Sequence, residues 1–358
     1  MKTYAVIMAG GVGERFWPMS RKKTPKQLLN LSGNDYMINE TIARLEYITE
    51  RDNMFIVTND TQLEGMKEVT KGLIDPSHII SEPAGRGTAA CIGLAAMEIL
   101  KKYEDGVMIV TPSDAYIKDA PAYARALTTA IKAAETDDKL VTIGVTPTFA
   151  ATGYGYIEYD KNEAVAAKTV SNFREKPDEA TAMEYYKSGN YAWNSGVFVW
   201  KASLIMDKFA EYAKDIYEEL VKIGDCMNTP KETATTNAIY PNIRKTSVDY
   251  AVMEPSSGKG DVLVVPAEFG WNDIGSWDMM CVLHEEDEAG NILIGDAYAA
   301  QTTNSTIYST SRYVGVVGVD NIVVVETKDS VMVCRKDKAQ DVKLITENLK
   351  SSGREELL

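Results

Sequence analysis

The apolar run Tyr4-Ala5-Val6-Ile7-Met8 passes without a spacer into Ala9-Gly10-Gly11-Val12-Gly13-Glu14-Arg15, and this junction narrows the choice of fold more than any other stretch. The run does not alternate apolar with polar residues, so it predicts a parallel strand buried on both faces. The three glycines that follow present bare backbone N–H groups, because glycine accepts positive φ and has no Cβ to hold a ligand away. At the carboxyl edge of a parallel sheet such amides form a concave anion site. Arg15, Arg21, Lys22, Lys23 and Lys26 then add positive charge close by. Close backbone approach followed by cationic side chains describes a triphosphate site.

Two familiar phosphate loops do not fit. A Walker A loop ends in Gly-Lys-Ser/Thr, whereas Gly13 is followed by Glu14-Arg15. The dinucleotide fingerprint needs a third glycine opening a helix; here Phe16 stands in that place and Pro18 stops a helix from starting. A tight turn with a solvated basic tail is the bare alternative. The stretch from Gly10 to Gln27 resembles the signature of the sugar-nucleotide pyrophosphorylases. Within it, Pro18-Met19-Ser20-Arg21 and Pro25-Lys26-Gln27 resemble the mannose-1-phosphate guanylyltransferase (GDP-mannose pyrophosphorylase) branch. Phe16-Trp17 departs from the Leu-Trp or Leu-Tyr usual there without altering charge. The resemblance reaches from Tyr4 to near Met280 and implies a reaction in which GTP and mannose 1-phosphate give GDP-mannose and pyrophosphate.

At 358 residues the chain exceeds what one core usually holds, so a catalytic domain over 1–285 and a small domain over 286–358 are expected. A net charge of −14 argues against nucleic acid as a partner, since that needs a broad basic face, and it disfavours a membrane. Against so acidic a body, the cations of the opening stretch suit a small polyanion. Cys91, Cys226, Cys281 and Cys334 show no metal spacing and read as reduced core residues of a cytoplasmic protein. No signal peptide precedes Tyr4, and no apolar run approaches the ~20 residues that cross a bilayer. His78 and His284 are the only histidines and lie in no motif, so triad or histidine acid–base chemistry is not expected.

Along the chain, helical spacing over 36–51, 62–72, 90–101 and 121–134 alternates with buried strands at 54–58, 79–81, 107–111 and 140–145. The fold class expected is α/β: a Rossmann-like doubly wound mixed sheet of the nucleotide-diphospho-sugar transferase type. One amphipathic helix is expected over 202–223 and a polar loop over 229–238. Beyond Asn291, short β-branched runs between turns predict a small β-rich domain closed by a terminal helix over 336–350. In relatives this region often forms a left-handed β-helix or packs a partner subunit; here it is too short for many coils. Longer relatives that also isomerise mannose 6-phosphate carry an extra β-barrel after this point. The expectation is therefore a single activity.

The resemblance assigns roles to residues whose bare reading is plainer. Ala9, Gly10, Gly11 and Gly13 would cradle phosphates, with Arg15 and Lys26 as the catalytic cations. Glu82-Pro83-Ala84-Gly85-Arg86-Gly87-Thr88 reads bare as a strand-to-helix turn with Thr88 as the cap, and the resemblance makes it the guanine-reading loop. Asp114, after a strand, is a helix cap or a metal ligand; the resemblance makes it a ligand, with Asp273 as the second for Mg²⁺. An unpaired buried Asp273 would be costly, so it should have partners. Gly155, Glu158, Glu175, Lys176, Asn194 and Asp249 would hold the sugar phosphate, Lys176 pairing with the phosphate itself. A homodimer is the assembly to test. Two rival readings are another hexose-1-phosphate nucleotidyltransferase and a non-catalytic sugar-nucleotide sensor.

Overall fold

The computed structural model describes residues 1–358. Its strands are β1 (Lys2–Met8), β2 (Met54–Asn59), β3 (Ile79–Glu82), β4 (Gly106–Pro112), β5 (Tyr116–Ile117), β6 (Leu140–Val145), β7 (Tyr156–Tyr159), β8 (Lys168–Arg174), β9 (Tyr191–Lys201), β10 (Val262–Ala267) and β11 (Trp271–Asn272), followed by β12 (Ile292–Ile294), β13 (Ala297–Ala300), β14 (Thr306–Ser309), β15 (Val314–Val317), β16 (Ile322–Glu326) and β17 (Val331–Arg335). In β1, Tyr4 and Val6 enter one core while Ala5 and Ile7 enter another on the opposite face. Both faces of the strand are covered, which is why its sequence does not alternate. The first core packs the helix Thr88–Lys102 against the sheet, the second the helix Ala120–Asp137.

The main sheet runs β3-β2-β1-β4-β9-β6-β10-β8-β7. Strands β3, β2, β1 and β4 are parallel, and β9 lies antiparallel between β4 and β6, so the sheet is mixed. The chain moves outward from β1 through β2 to β3, then crosses back to β4 on the other side. That reversal opens a crevice beyond the carboxyl ends of β1 and β4, where Met8 pairs with Pro112. The glycine stretch and Asp114 leave the sheet at this point.

Toward the carboxyl end, parallel pairings Ile292↔Thr306↔Val323 and Ala297↔Val314 stack short coils, and β17 closes them antiparallel to β16. Their interior is continuous with the opening stretch. Phe16, Trp17, Leu29 and Leu31 share a buried cluster with Ile292, Val323, Val325, Val342 and Leu349. No helix is long and apolar enough to cross a membrane.

Several local expectations are corrected. The loop expected over 229–238 holds only for the turn at 229–231: Glu232–Ile239 is a helix without an apolar stripe, tethered by Lys102 to Glu232 at 2.9 Å and leading into fully buried Tyr240. The helix expected over 202–223 is two helices, Ala202–Tyr212 and Lys214–Gly224, broken where buried Ala213 takes φ −140° and ψ 54°. The first two helices are shorter than their periodic stretches, Met37–Leu45 and Leu63–Val69. Of the four thiols, all free, Cys91 is buried, Cys226 and Cys334 are half-buried and Cys281 is exposed.

Candidate active site

Two cavities, of about 510 and 490 Å³, meet in the crevice and share Pro112, Ser195, Trp271 and Asp273 as a common wall. The second is the cationic lobe. Gly13 enters it at φ +70°, and a Cβ there would stand 2.5 Å from the Lys26 Cβ, so only glycine lets the backbone pass this lysine. The loop is pinned from below by buried Gln27, whose Nε2 donates to the Ala9 and Gly11 carbonyls at 2.7 and 3.0 Å. Ser20 Oγ donates to the Gly13 carbonyl at 2.7 Å.

Lys26 is 4% exposed, and its ammonium ties the two sides of this lobe together. Nζ donates to Asp114 Oδ2 at 3.0 Å, to the Asp114 carbonyl at 2.9 Å and to the Asp273 carbonyl at 2.6 Å. Arg15, in contrast, is exposed and forms no ion pair. Asp273 is half-buried rather than buried, and it has a partner: Tyr154 donates its hydroxyl to Oδ1 at 2.8 Å. That tyrosine stands edge-on to both Trp193 and Trp271, and burial together with the Asp273 charge holds its hydroxyl firmly protonated. Asp114 and Asp273 thus offer hard oxygen donors on either side of Lys26. Two carboxylates suit a divalent cation that arrives with phosphate oxygens, rather than a complete protein cage.

The first cavity carries the other groups. At one end Asn194 Nδ2 donates to Asp249 Oδ1 at 2.9 Å. Burial, reinforced by the charge of Glu175, pushes the Asp249 carboxyl up to about 6. Lys176, at φ +45°, stands 3.2 Å from Glu175 with its side chain largely in solvent. At the other end Glu82 is 5% exposed and accepts from the Tyr240 hydroxyl, and a Cβ on Gly10 would be 3.1 Å from its Oε2. Burial raises the Glu82 carboxyl to about 7, against the pull of the tyrosine bond. Gly87, at φ +82°, passes so close to the Thr246 carbonyl that a Cβ would sit 2.3 Å from its oxygen.

A model of nucleotidyl transferases matches residues 4–290. The chain belongs to the nucleotidyl transferase family. A second model, for the MannoseP isomerase/GMP-like beta-helix domain, matches residues 295–349, where the parallel coils lie. The chain is 38% identical to the alginate biosynthesis protein AlgA of Pseudomonas putida, over 98% of this chain and 72% of that protein. It is 37% identical to a mannose-1-phosphate guanylyltransferase of Klebsiella pneumoniae, over 98% of this chain and 74% of that one. Among solved structures it superposes on one titled mannose-1-phosphate geranyltransferase, from Thermus thermophilus, with a TM-score of 0.86 at 32% identity over 98% of this chain and all of that one.

Within this transferase, most of the residues singled out from sequence converge on the crevice. Gly10, Gly11, Glu82, Gly85, Gly87, Thr88, Gly155, Glu175, Lys176, Asn194, Asp249 and Asp273 line the first cavity, and Gly13, Arg15, Lys26, Asp114 and again Asp273 the second. Ala9, Pro83, Arg86 and Glu158 stand behind or beside the lining; Glu158 faces Asn172 and Tyr191 across β7. Thr88 does not cap its helix. Gly87 is the cap residue, and the Thr88 hydroxyl instead accepts the Val248 N–H at 2.9 Å, tying the loop to the segment bearing Asp249. Arg21 and Lys22 point away from the site, to Asp329 at 2.7 Å and to Glu355. Tyr154, Tyr240 and Lys343 belong to the site or its support and carried no motif. The two histidines are structural: His78 stacks on Phe55, and His284 bonds the Leu31 carbonyl at 2.6 Å.

Proposed function

We infer that this chain is a mannose-1-phosphate guanylyltransferase, making GDP-mannose and pyrophosphate from GTP and mannose 1-phosphate. One observation carries the reading: a cationic lobe with two aspartates and a polar lobe with Glu175, Lys176, Asn194 and Asp249 meet at a shared wall. The triphosphate occupies the cationic lobe and the sugar phosphate the polar lobe, so the α-phosphorus lies between them. A phosphate oxygen of mannose 1-phosphate attacks that phosphorus as the bond to the β-phosphate breaks, and pyrophosphate leaves. The substrate brings its own nucleophile, so the chain has only to align the reactants and stabilise charge. Gly10, Gly11 and Gly13 present amides, Arg15 neutralises the departing phosphates, and Lys26 holds Asp114 and Asp273 in place. Mg²⁺, held by these aspartates and the nucleotide, would supply charge neutralisation at the phosphate oxygens.

Incubating the protein with GTP, mannose 1-phosphate and Mg²⁺ should release pyrophosphate. A panel of other nucleotides and hexose 1-phosphates decides the substrate pair, and no release with any sugar phosphate would defeat the reading.

Guanine recognition rests on Glu82. An ionised carboxylate accepts hydrogen bonds from the guanine N1–H and 2-amino group, and a protonated one loses that capacity. With Glu82 raised to about 7, affinity for GTP should therefore fall as pH drops through about 7. Tyr240→Phe removes the bond that favours the ionised form, so the midpoint should move up by roughly 0.5–1 unit. The pH profile of KM for GTP measures this, with inosine triphosphate, which lacks the 2-amino group, showing a weaker dependence. An unmoved midpoint would exclude Glu82 as the acceptor.

A further inference from the structure

We propose that Lys343, in the carboxyl-terminal segment, is a positioning residue for the pyrophosphate half of the nucleotide, an inference that rests on the transferase reading above. Lys343 lines the cationic lobe beside Gly13, Glu14, Arg15 and Lys26. It begins the helix Lys343–Ser351, which packs against the turn Glu14–Phe16. The backbone there is held firmly. Val342 and Leu349 are buried in one cluster with Phe16 and Trp17, Lys350 pairs with Glu14 at 2.5 Å, and Trp17 Nε1 donates to the Leu357 carbonyl at 2.9 Å.

The charges of the lobe say what this lysine adds. Glu14 is neutralised by Lys350 and Asp114 by Lys26, leaving Asp273 with Arg15 and Lys343. Neither of those two cations forms an ion pair. Without Lys343 the side chains of the lobe, taken apart from any divalent cation, would have no surplus positive charge to offer a polyanion, on a chain whose net charge is −14. The carboxyl-terminal segment therefore completes the triphosphate site as well as covering Phe16 and Trp17.

Steady-state kinetics in both directions on the full chain test this with Lys343→Ala, Lys343→Arg and, as a control for lost charge alone, Lys338→Ala, an exposed lysine beside Asp341. For a solvated charge beside a polyphosphate, Lys343→Ala should raise KM for GTP and for pyrophosphate roughly fivefold to tenfold, with the effect shrinking from about 50 mM to about 500 mM salt. KM for mannose 1-phosphate should stay at the wild-type value, Lys343→Arg should recover most of the loss, and Lys338→Ala should match wild type. The proposal is overturned by unchanged KM values in Lys343→Ala, by an equal rise in Lys338→Ala, or by a lowered melting temperature with KM raised for both substrates, the mark of a structural role. Should the wild-type protein release no pyrophosphate at all, the transferase reading fails by itself. Calorimetric binding of inorganic pyrophosphate to wild type and Lys343→Ala then decides Lys343 separately: weaker binding by the variant supports it, and equal binding removes it.

Discussion

Lys26→Met is expected to lower kcat by about 10²-fold, the loss that misplacing catalytic groups by roughly 1 Å can cause. The ammonium stands at the meeting of the two aspartate-bearing segments and uses all three of its N–H donors on Asp114 and Asp273. Removing it does two things at once. The Asp114 carboxylate loses its partner in a lobe that must then receive phosphate, and the segments carrying both aspartates lose the bond that sets their separation. Methionine retains the buried stem that occupies the space beside Gly13 and Phe16, so the fold should survive with a modest drop in melting temperature. Lys26→Arg should rescue poorly, because a planar guanidinium cannot aim three donors at convergent acceptors as a compact ammonium does. Turnover and circular-dichroism melting on the same preparations check the result. A folded variant with kcat within threefold of wild type would remove Lys26 from the mechanism.

The residues legible from sequence are those whose role is local. Three glycines after a buried run announce themselves because strand and turn follow one another along the chain, whereas Asp114, just past the end of another strand, reads equally as a helix cap and becomes a ligand only through the resemblance. Lys26 was legible as a cation, but its burial was not, since the acceptors Asp114 and Asp273 are distant in sequence. Tyr154 and Tyr240 illustrate the same limit more sharply. Each donates to a carboxylate in another part of the chain, Asp273 and Glu82, and no spacing rule links those positions. The helix Glu232–Ile239 is not legible in the sequence because it has no apolar stripe; it is held from outside through Lys102 and its passage into buried Tyr240. Arg21 and Lys22 misled in the opposite direction. Proximity to the glycine stretch suggested phosphate, whereas the carboxyl-terminal segment claims both.

Asp273→Asn should raise the Mg²⁺ concentration for half-maximal activity at least tenfold and lower kcat by about 10², as expected when a hard-cation ligand loses its charge. The substitution is close to isosteric. An asparagine carbonyl still accepts from the Tyr154 hydroxyl, so the edge-on packing of Tyr154 between Trp193 and Trp271 is retained. Lys26 bonds the main-chain carbonyl of this residue, so that tie also persists. What disappears is the charge on the side-chain oxygens, of which Oδ2 lies beside Gly275. Loss of activity at fixed Mg²⁺ would not separate this from a positioning defect, which is why the full metal titration is required. Binding of Mn²⁺ in the presence of GTP, followed by electron paramagnetic resonance, reports on the same site without turnover. Weakened metal binding with GTP affinity preserved at saturating metal would assign Asp273 to the cation. An unchanged titration in both measurements would leave Asp273 as the acceptor that orients Tyr154, and Asp114→Asn would then be the variant in which the metal requirement moves.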